Sequence, residues 1–103
     1  MVIVSVTYPA TEGSRFDFNY YAAKHRPLVQ SRWGDFGLVD TKALRGFGTP
    51  DGRPIAYQAT ALLTFESAEH FQRAAQQHGK EIMTDIKNFT DIKPVVQLNE
   101  QIE

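Results

Sequence analysis

Phe16-Asp17-Phe18-Asn19-Tyr20-Tyr21-Ala22-Ala23-Lys24-His25-Arg26-Pro27-Leu28 reads as the opening of an amphipathic helix. Asp17 suits the N-cap, because its carboxylate can accept from the free amides of the first turn. Phe16 and Tyr21 have the spacing of a hydrophobic staple. Phe18, Tyr21, Ala22, His25, Leu28 and Val29 recur at three- and four-residue steps and share one face. Pro27 removes an amide and crowds the carbonyl of Ala23, so a kink or a restart is predicted near His25. The helix is expected to end around Trp33 and Gly34.

The chain on either side of this helix fixes its role. Residues 2–8 alternate, with Val2, Val4, Val6 and Tyr8 on one face and Ile3, Ser5 and Thr7 on the other, as a β-branched strand does. Pro9 ends it. A second, less apolar strand is predicted over 37–46, and a third over 57–65, where Tyr57, Ala59, Ala61, Leu63 and Phe65 share a face. Thr49-Pro50-Asp51-Gly52 supplies the turn chemistry between them. Ser67 caps a second helix predicted to run to His78, with Gly79 as its stop, and Ile82, Met83, Ile86 and Phe89 predict further helical turns. A fourth strand is predicted over 91–98, with Pro94 marking it as an edge. Residues 99–103 are expected to form a polar tail or a partner-binding extension.

The order is strand, helix, strand, strand, helix, strand. The first and third strands are the most apolar and should be central, and the second and fourth should be edges. Right-handed crossovers then give a four-stranded antiparallel sheet with both helices on one face: an α+β, ferredoxin-like βαββαβ sandwich. The other face, with Ile3, Thr7, Leu44, Thr60, Leu62 and Thr64, is too apolar to sit comfortably in water. A homodimer joined through that open sheet face is the expected cover.

The chain has 103 residues, a formal net charge of −1 and no cysteine. That length makes a single domain. The charge predicts no nucleic-acid or membrane partner. The missing cysteines exclude disulfides and thiolate chemistry. The sequence opens directly on a strand pattern without a signal-like run, and no apolar stretch approaches the roughly 18 residues of a bilayer span, so a cytoplasmic protein is expected.

His25 is the first chemical candidate, because an imidazole titrates near neutrality and this one lies on the sheet-facing side beside a helix irregularity. Tyr21, four residues earlier, is within side-chain reach and can orient the ring or bind a substrate oxygen. Tyr8, Phe18, Trp33 and Tyr57 are placed to line a ligand cleft around the pair. Each also has a purely structural reading: a carbonyl-bound histidine, a staple tyrosine, core aromatics. Arg15, Lys24 and Arg26 read as a solvated basic face. His70 and His78 are eight residues apart with no third ligand, so no metal site is predicted. There is no nucleophile elbow, phosphate loop or dinucleotide fingerprint, and no cofactor is predicted.

Tyr8-Pro9, Gly13, the acid-capped helix with the pair Tyr20-Tyr21, and His25-Arg26-Pro27-Leu28 together resemble the EthD family, named for ethyl tert-butyl ether degradation. The resemblance implies a dimeric α+β barrel made from two ferredoxin-like subunits. It also implies a catabolic role beside an oxygenase system that degrades alkyl ethers. The family histidine carries over to His25 and the tyrosine to Tyr21.

Two functions are compatible with these residues. One is accessory binding of a small hydrophobic metabolite, such as an ether or its hemiacetal, with His25 and Tyr21 as polar contacts. The other is a cofactor-free isomerase or cyclase in which His25 moves a proton beside a carbonyl and Tyr21 stabilises the oxyanion. Both require a cavity at His25. A cleft packed shut by Trp33, Phe18 and Leu63 would leave only a dimeric interaction module.

Overall fold

A computed structural model describes residues 1–103. Strand β1 (Val2–Pro9) is followed by a short helix α1 (Phe18–Tyr20), a π-helical turn (Tyr21–His25) and helix α2 (Arg26–Trp33). After a 3-10 turn come β2 (Leu38–Arg45), β3 (Tyr57–Phe65), helix α3 (Ala68–Asp85), a second 3-10 turn (Ile86–Asn88) and β4 (Val95–Asn99). The sheet order is β2-β3-β1-β4, and every pairing is antiparallel. Strands β1 and β3 are central and β2 and β4 are the edges, as the sequence predicts. The fold is a ferredoxin-like α+β sandwich.

The helical layer packs on the face carrying Val4, Tyr8, Ala61, Leu63 and Phe65. Trp33 ties α2 to α3: its indole Nε1 donates to the Ala74 carbonyl at 2.8 Å, and its ring stands edge-on to Phe65 and Phe71. A second cluster, built on Tyr8, Tyr21, Ile86 and Phe89, fills the other end of the sandwich. On the opposite face Leu44 and Val95 are exposed, and Ile3 and Leu62 are half-buried. Nothing in the single chain covers that face, and the molecule is flat, 40 × 36 × 19 Å.

The first helix keeps its predicted cap and staple. The Tyr20 amide donates to Asp17 Oδ1 at 3.0 Å, and the Phe16 and Tyr21 rings lie 5.5 Å apart. The irregularity at Pro27 takes a particular form. The helix does not break; it widens into one π-turn, in which the Arg26 amide reaches the Tyr21 carbonyl, and resumes as α-helix. The wider turn accommodates a proline ring that would crowd the Ala23 carbonyl of a regular α-helix.

Two boundaries differ from the sequence reading. Helix α3 does not stop at Gly79 but continues to Asp85. Gly79 has no positive φ, and the buried Ile82 and Ile86 continue the apolar stripe. Burying them outweighs the roughly 1 kcal/mol that a mid-helix glycine costs. Strand β4 starts only at Val95, after Pro94. Residues 90 and 91 instead brace the start of the first helix: Thr90 Oγ1 donates to the Arg15 carbonyl at 2.6 Å, and the Arg15 amide donates to Asp91 Oδ1 at 3.2 Å.

Candidate functional site

Between the helices and the sheet lies a cavity of about 200 Å³. Of its 19 lining residues 14 are hydrophobic, so its occupant must be mainly apolar. Its buried and half-buried polar lining comes from Tyr8, Tyr21, His25, Arg26 and Thr41, with the exposed Lys42 at the rim. Trp33 also lines it. The cleft is therefore not packed shut.

The π-turn determines which side chains face this space. Tyr21, His25, Val29 and Trp33, all buried, recur at every fourth residue. The extra residue of a π-turn shifts the phase of the succeeding helical turns. Arg26, which looks solvated on a regular helical wheel, is thereby half-buried and lines the cavity, its Nη2 donating to Thr41 Oγ1 at 3.1 Å. The prediction of a solvated basic face fails for this residue.

His25 is 5 % exposed, stacked on Tyr21 at 5.6 Å and set against Phe89 at 4.7 Å. Its Nδ1 lies 2.9 Å from Asp85 Oδ2. Asp85 is held in turn. The Tyr20 hydroxyl donates to its Oδ1 at 2.7 Å, and the Asn88 side-chain amide donates to the same oxygen at 3.0 Å. Burial alone would raise the Asp85 pKa, but the hydrogen bonds from Tyr20, His25 and Asn88 hold it below the usual carboxylate range. Burial lowers the His25 pKa, against the opposing pull of Asp85. At neutral pH the pair is thus an ionised carboxylate beside a neutral imidazole. A carboxylate only accepts, so the imidazole proton sits on Nδ1. Nε2 carries the lone pair and makes no hydrogen bond within the protein; no sealed-off side-chain nitrogen lacks a partner, so it opens on the cavity that His25 lines.

Four of the six predicted site residues, His25, Tyr21, Tyr8 and Trp33, converge on this cavity. Phe18 does not line it; its ring packs on Phe16 and lies beneath the Arg45 guanidinium at 4.0 Å. Tyr57 does not line it either. It is the first residue of β3, paired with Pro9 across a register shift and 50 % exposed. The sequence reading misses Asp85, which lies 60 residues from His25 in a turn of α3 beyond the predicted stop. His70 and His78 stay apart, His70 against Ser67 and Glu66 and His78 against Glu81. No three metal-ligating side chains of the His, Asp and Glu type converge anywhere.

The EthD domain model matches residues 13–93, which include both partners of the His25–Asp85 pair. The chain belongs to the EthD family. An EthD-like protein of Ralstonia eutropha JMP134 is 41 % identical and superposes with a TM-score of 0.89, over 96 % of this chain and 89 % of that one. An EthD family protein of Bacillus halodurans C-125 is 22 % identical, with a TM-score of 0.69 and 99 % of each chain covered. SnoaB, a cofactor-independent oxygenase from Streptomyces nogalater, is 15 % identical with a TM-score of 0.61, over 99 % of this chain and 93 % of that one; at this distance the likeness is one of fold. No curated protein matches the chain. As an EthD chain it contains no helix long and apolar enough to cross a membrane.

Proposed function

We propose that this EthD protein binds a small, mainly apolar carbonyl compound in the helix–sheet cavity, and that His25 acts on it as a general acid–base without help from a cofactor. The observation that carries this reading is the division of labour on the His25 ring: Nδ1 is tied to Asp85 at 2.9 Å and Nε2 is left free beside the cavity. Nε2 takes a proton from the carbon next to the carbonyl, and the C–H electron pair moves to form an enolate. The Tyr21 hydroxyl donates to the enolate oxygen. The imidazolium returns its proton at the same or the conjugated carbon, so the net change is exchange or isomerisation. Asp85 positions the ring and stabilises the imidazolium.

The test is exchange of the acidic C–H protons of 2-tetralone with deuterated water, followed by proton NMR. Protein-dependent exchange is expected for the natural chain. Asp85→Asn is expected to slow it about tenfold or more, because a side-chain amide can donate to Nδ1 and move the imidazole proton to Nε2. An Asp85→Asn variant as active as the natural chain, with the same pH profile, contradicts the assignment.

The nearly apolar lining also favours the accessory reading, in which an alkyl ether or its hemiacetal from an oxygenase pathway is held but not transformed. That reading predicts ether binding that weakens in His25→Ala, with no exchange of 2-tetralone protons in either chain.

The same proposal includes a homodimer through the open sheet face, supported by the uncovered Ile3, Leu44, Leu62 and Val95. At micromolar concentration light scattering should give twice the 11.6 kDa of one chain. Leu62→Lys should give a monomer, since a charge buried without a partner is costly. A natural chain that elutes as a monomer contradicts the dimer.

A further inference from the structure

The polar groups around the cavity are unequal in kind. Tyr8 is 1 % exposed and Tyr21 is 6 % exposed. Neither hydroxyl makes a hydrogen bond within the protein, yet no side-chain oxygen or nitrogen sealed in the interior lacks a partner. Both hydroxyls therefore keep some open access, and the space open to them is the cavity that both residues line. The rings face each other edge-on, 6.5 Å apart. Arg26 joins them. It has no carboxylate within ion-pair distance, and its one side-chain hydrogen bond goes to the neutral Thr41 hydroxyl. Burial raises the pKa of the Tyr21 hydroxyl and the charge of Arg26 opposes that rise, so the guanidinium acts on the same hydroxyl. Lys42, the other cation at the cavity, is exposed and lies 4.0 Å from Asp40. The cavity thus offers one unpaired, half-buried positive charge and two idle phenol hydroxyls, beside the Nε2 lone pair of His25 and a Thr41 hydroxyl that already accepts from Arg26 and Gln30.

We propose that Tyr8, Tyr21 and Arg26 together receive a ligand oxygen that carries negative charge, so that the cavity takes a small ring compound with an ionisable enol or phenol hydroxyl rather than a neutral hydrocarbon or ether. This deepens the acid–base reading and rests on it. An oxygen seated between two buried phenols with a cation beside it is stabilised as the anion, because the donors are already oriented and little water competes. The size fits: a protein cavity of about 150 Å³ holds benzene, and this one, at about 200 Å³, has room for a ring with one or two substituents.

The probes are 4-nitrophenol, whose ionised form absorbs at longer wavelength than its neutral form, and 4-nitroanisole, its methyl ether, which cannot ionise. At a pH where the free phenol is mostly neutral, the bound probe is expected to show the spectrum of the anion. The anisole is expected to bind about tenfold or more weakly. Tyr8→Phe and Tyr21→Phe are each expected to weaken binding of the phenolate about tenfold or more, and Arg26→Met to shift the bound probe towards its neutral form. The Tyr8→Phe melting temperature should stay close to that of the natural chain, because the lost hydroxyl has no partner in the protein. A probe bound as the neutral phenol, or phenol and anisole bound equally, overturns the inference. If both then depend on His25, the acid–base reading survives alone. If neither probe binds while 2-tetralone exchange persists, the inference again fails alone; if neither binds and exchange is absent, both fail.

Discussion

His25→Ala should reduce protein-dependent exchange of 2-tetralone protons by about 100-fold or more, the lower end of what a positioned acid–base group contributes. His25 has no substitute in the site. No other nitrogen with a lone pair available near neutral pH lines the cavity; the remaining polar groups are two tyrosines, an arginine, a lysine and a threonine. The loss should appear in the rate rather than in folding. Asp85 keeps two donors on Oδ1, Tyr20 and Asn88, when the imidazole is removed, and only Oδ2 loses its partner. The ring also borders space that is already empty, which limits the cost of truncating it to the contacts with Tyr21 and Phe89. A variant that loses stability and exchange in parallel would make His25 a structural residue. The pH dependence of stability adds a second signature. Burial holds the His25 pKa below its ordinary value. The unfolded chain therefore binds a proton near pH 6.5 that the folded chain resists, and stability should fall as pH drops below about 6.5. His25→Ala should flatten that part of the curve in urea titrations. The contribution from Asp85 belongs to a lower window, because its lowered pKa gives stability that is lost only as pH falls through the carboxylate range.

Trp33→Ala should have the largest effect on folding, a loss of about 3–5 kcal/mol. Trp33 is 6 % exposed, stands edge-on to both Phe65 and Phe71, and donates from Nε1 to the Ala74 carbonyl. It is thus a junction of α2, α3 and β3. Removing it opens a void, frees the Ala74 carbonyl of that donor and unties the two helices from each other. Set against a typical total of about 5–15 kcal/mol, this is a large fraction of the stability of a small domain. The melting temperature should fall by more than about 10 °C. A drop of a few degrees would mean that the helices are held together by other contacts. Trp33 also lines the cavity, so the chain that still folds should bind 4-nitrophenol less tightly.

The difference between these two residues shows what the sequence discloses. Strand alternation places Tyr8, Ala61, Leu63 and Phe65 on the buried face, and the charges of β2 and the proline just before β4 mark those two as the edges. Asp17, Phe16 and Tyr21 identify the start of the first helix through cap and staple chemistry. These features are local and periodic, so they can be read along the chain. Tyr57 follows the same alternation in the sequence, but it opens β3 beyond a register shift against β1 and is half exposed, which the alternation does not encode. Arg26 depends on a single extra residue in one turn. Pro27 signals an irregularity there, but not whether it becomes a break or a π-turn, and only the π-turn carries Arg26 to the cavity. Asp85 depends on helix α3 running past Gly79. The recurrence of Ile82 and Ile86 is the signal for that continuation, and it places Asp85 in the last turn. Its pairing with His25, 60 residues away, requires the packing of two helical segments and cannot be seen from either.

The proposed chemistry depends above all on the His25 proton lying on Nδ1, facing Asp85, while Nε2 presents its lone pair to the cavity. Nitrogen-15 NMR of the imidazole reports this directly. A protonated Nδ1, an unprotonated Nε2, a pKa below about 6.5 and a shift at Nε2 when 4-nitrophenol binds are the expected results. A proton on Nε2, or a pKa above that value, would contradict them.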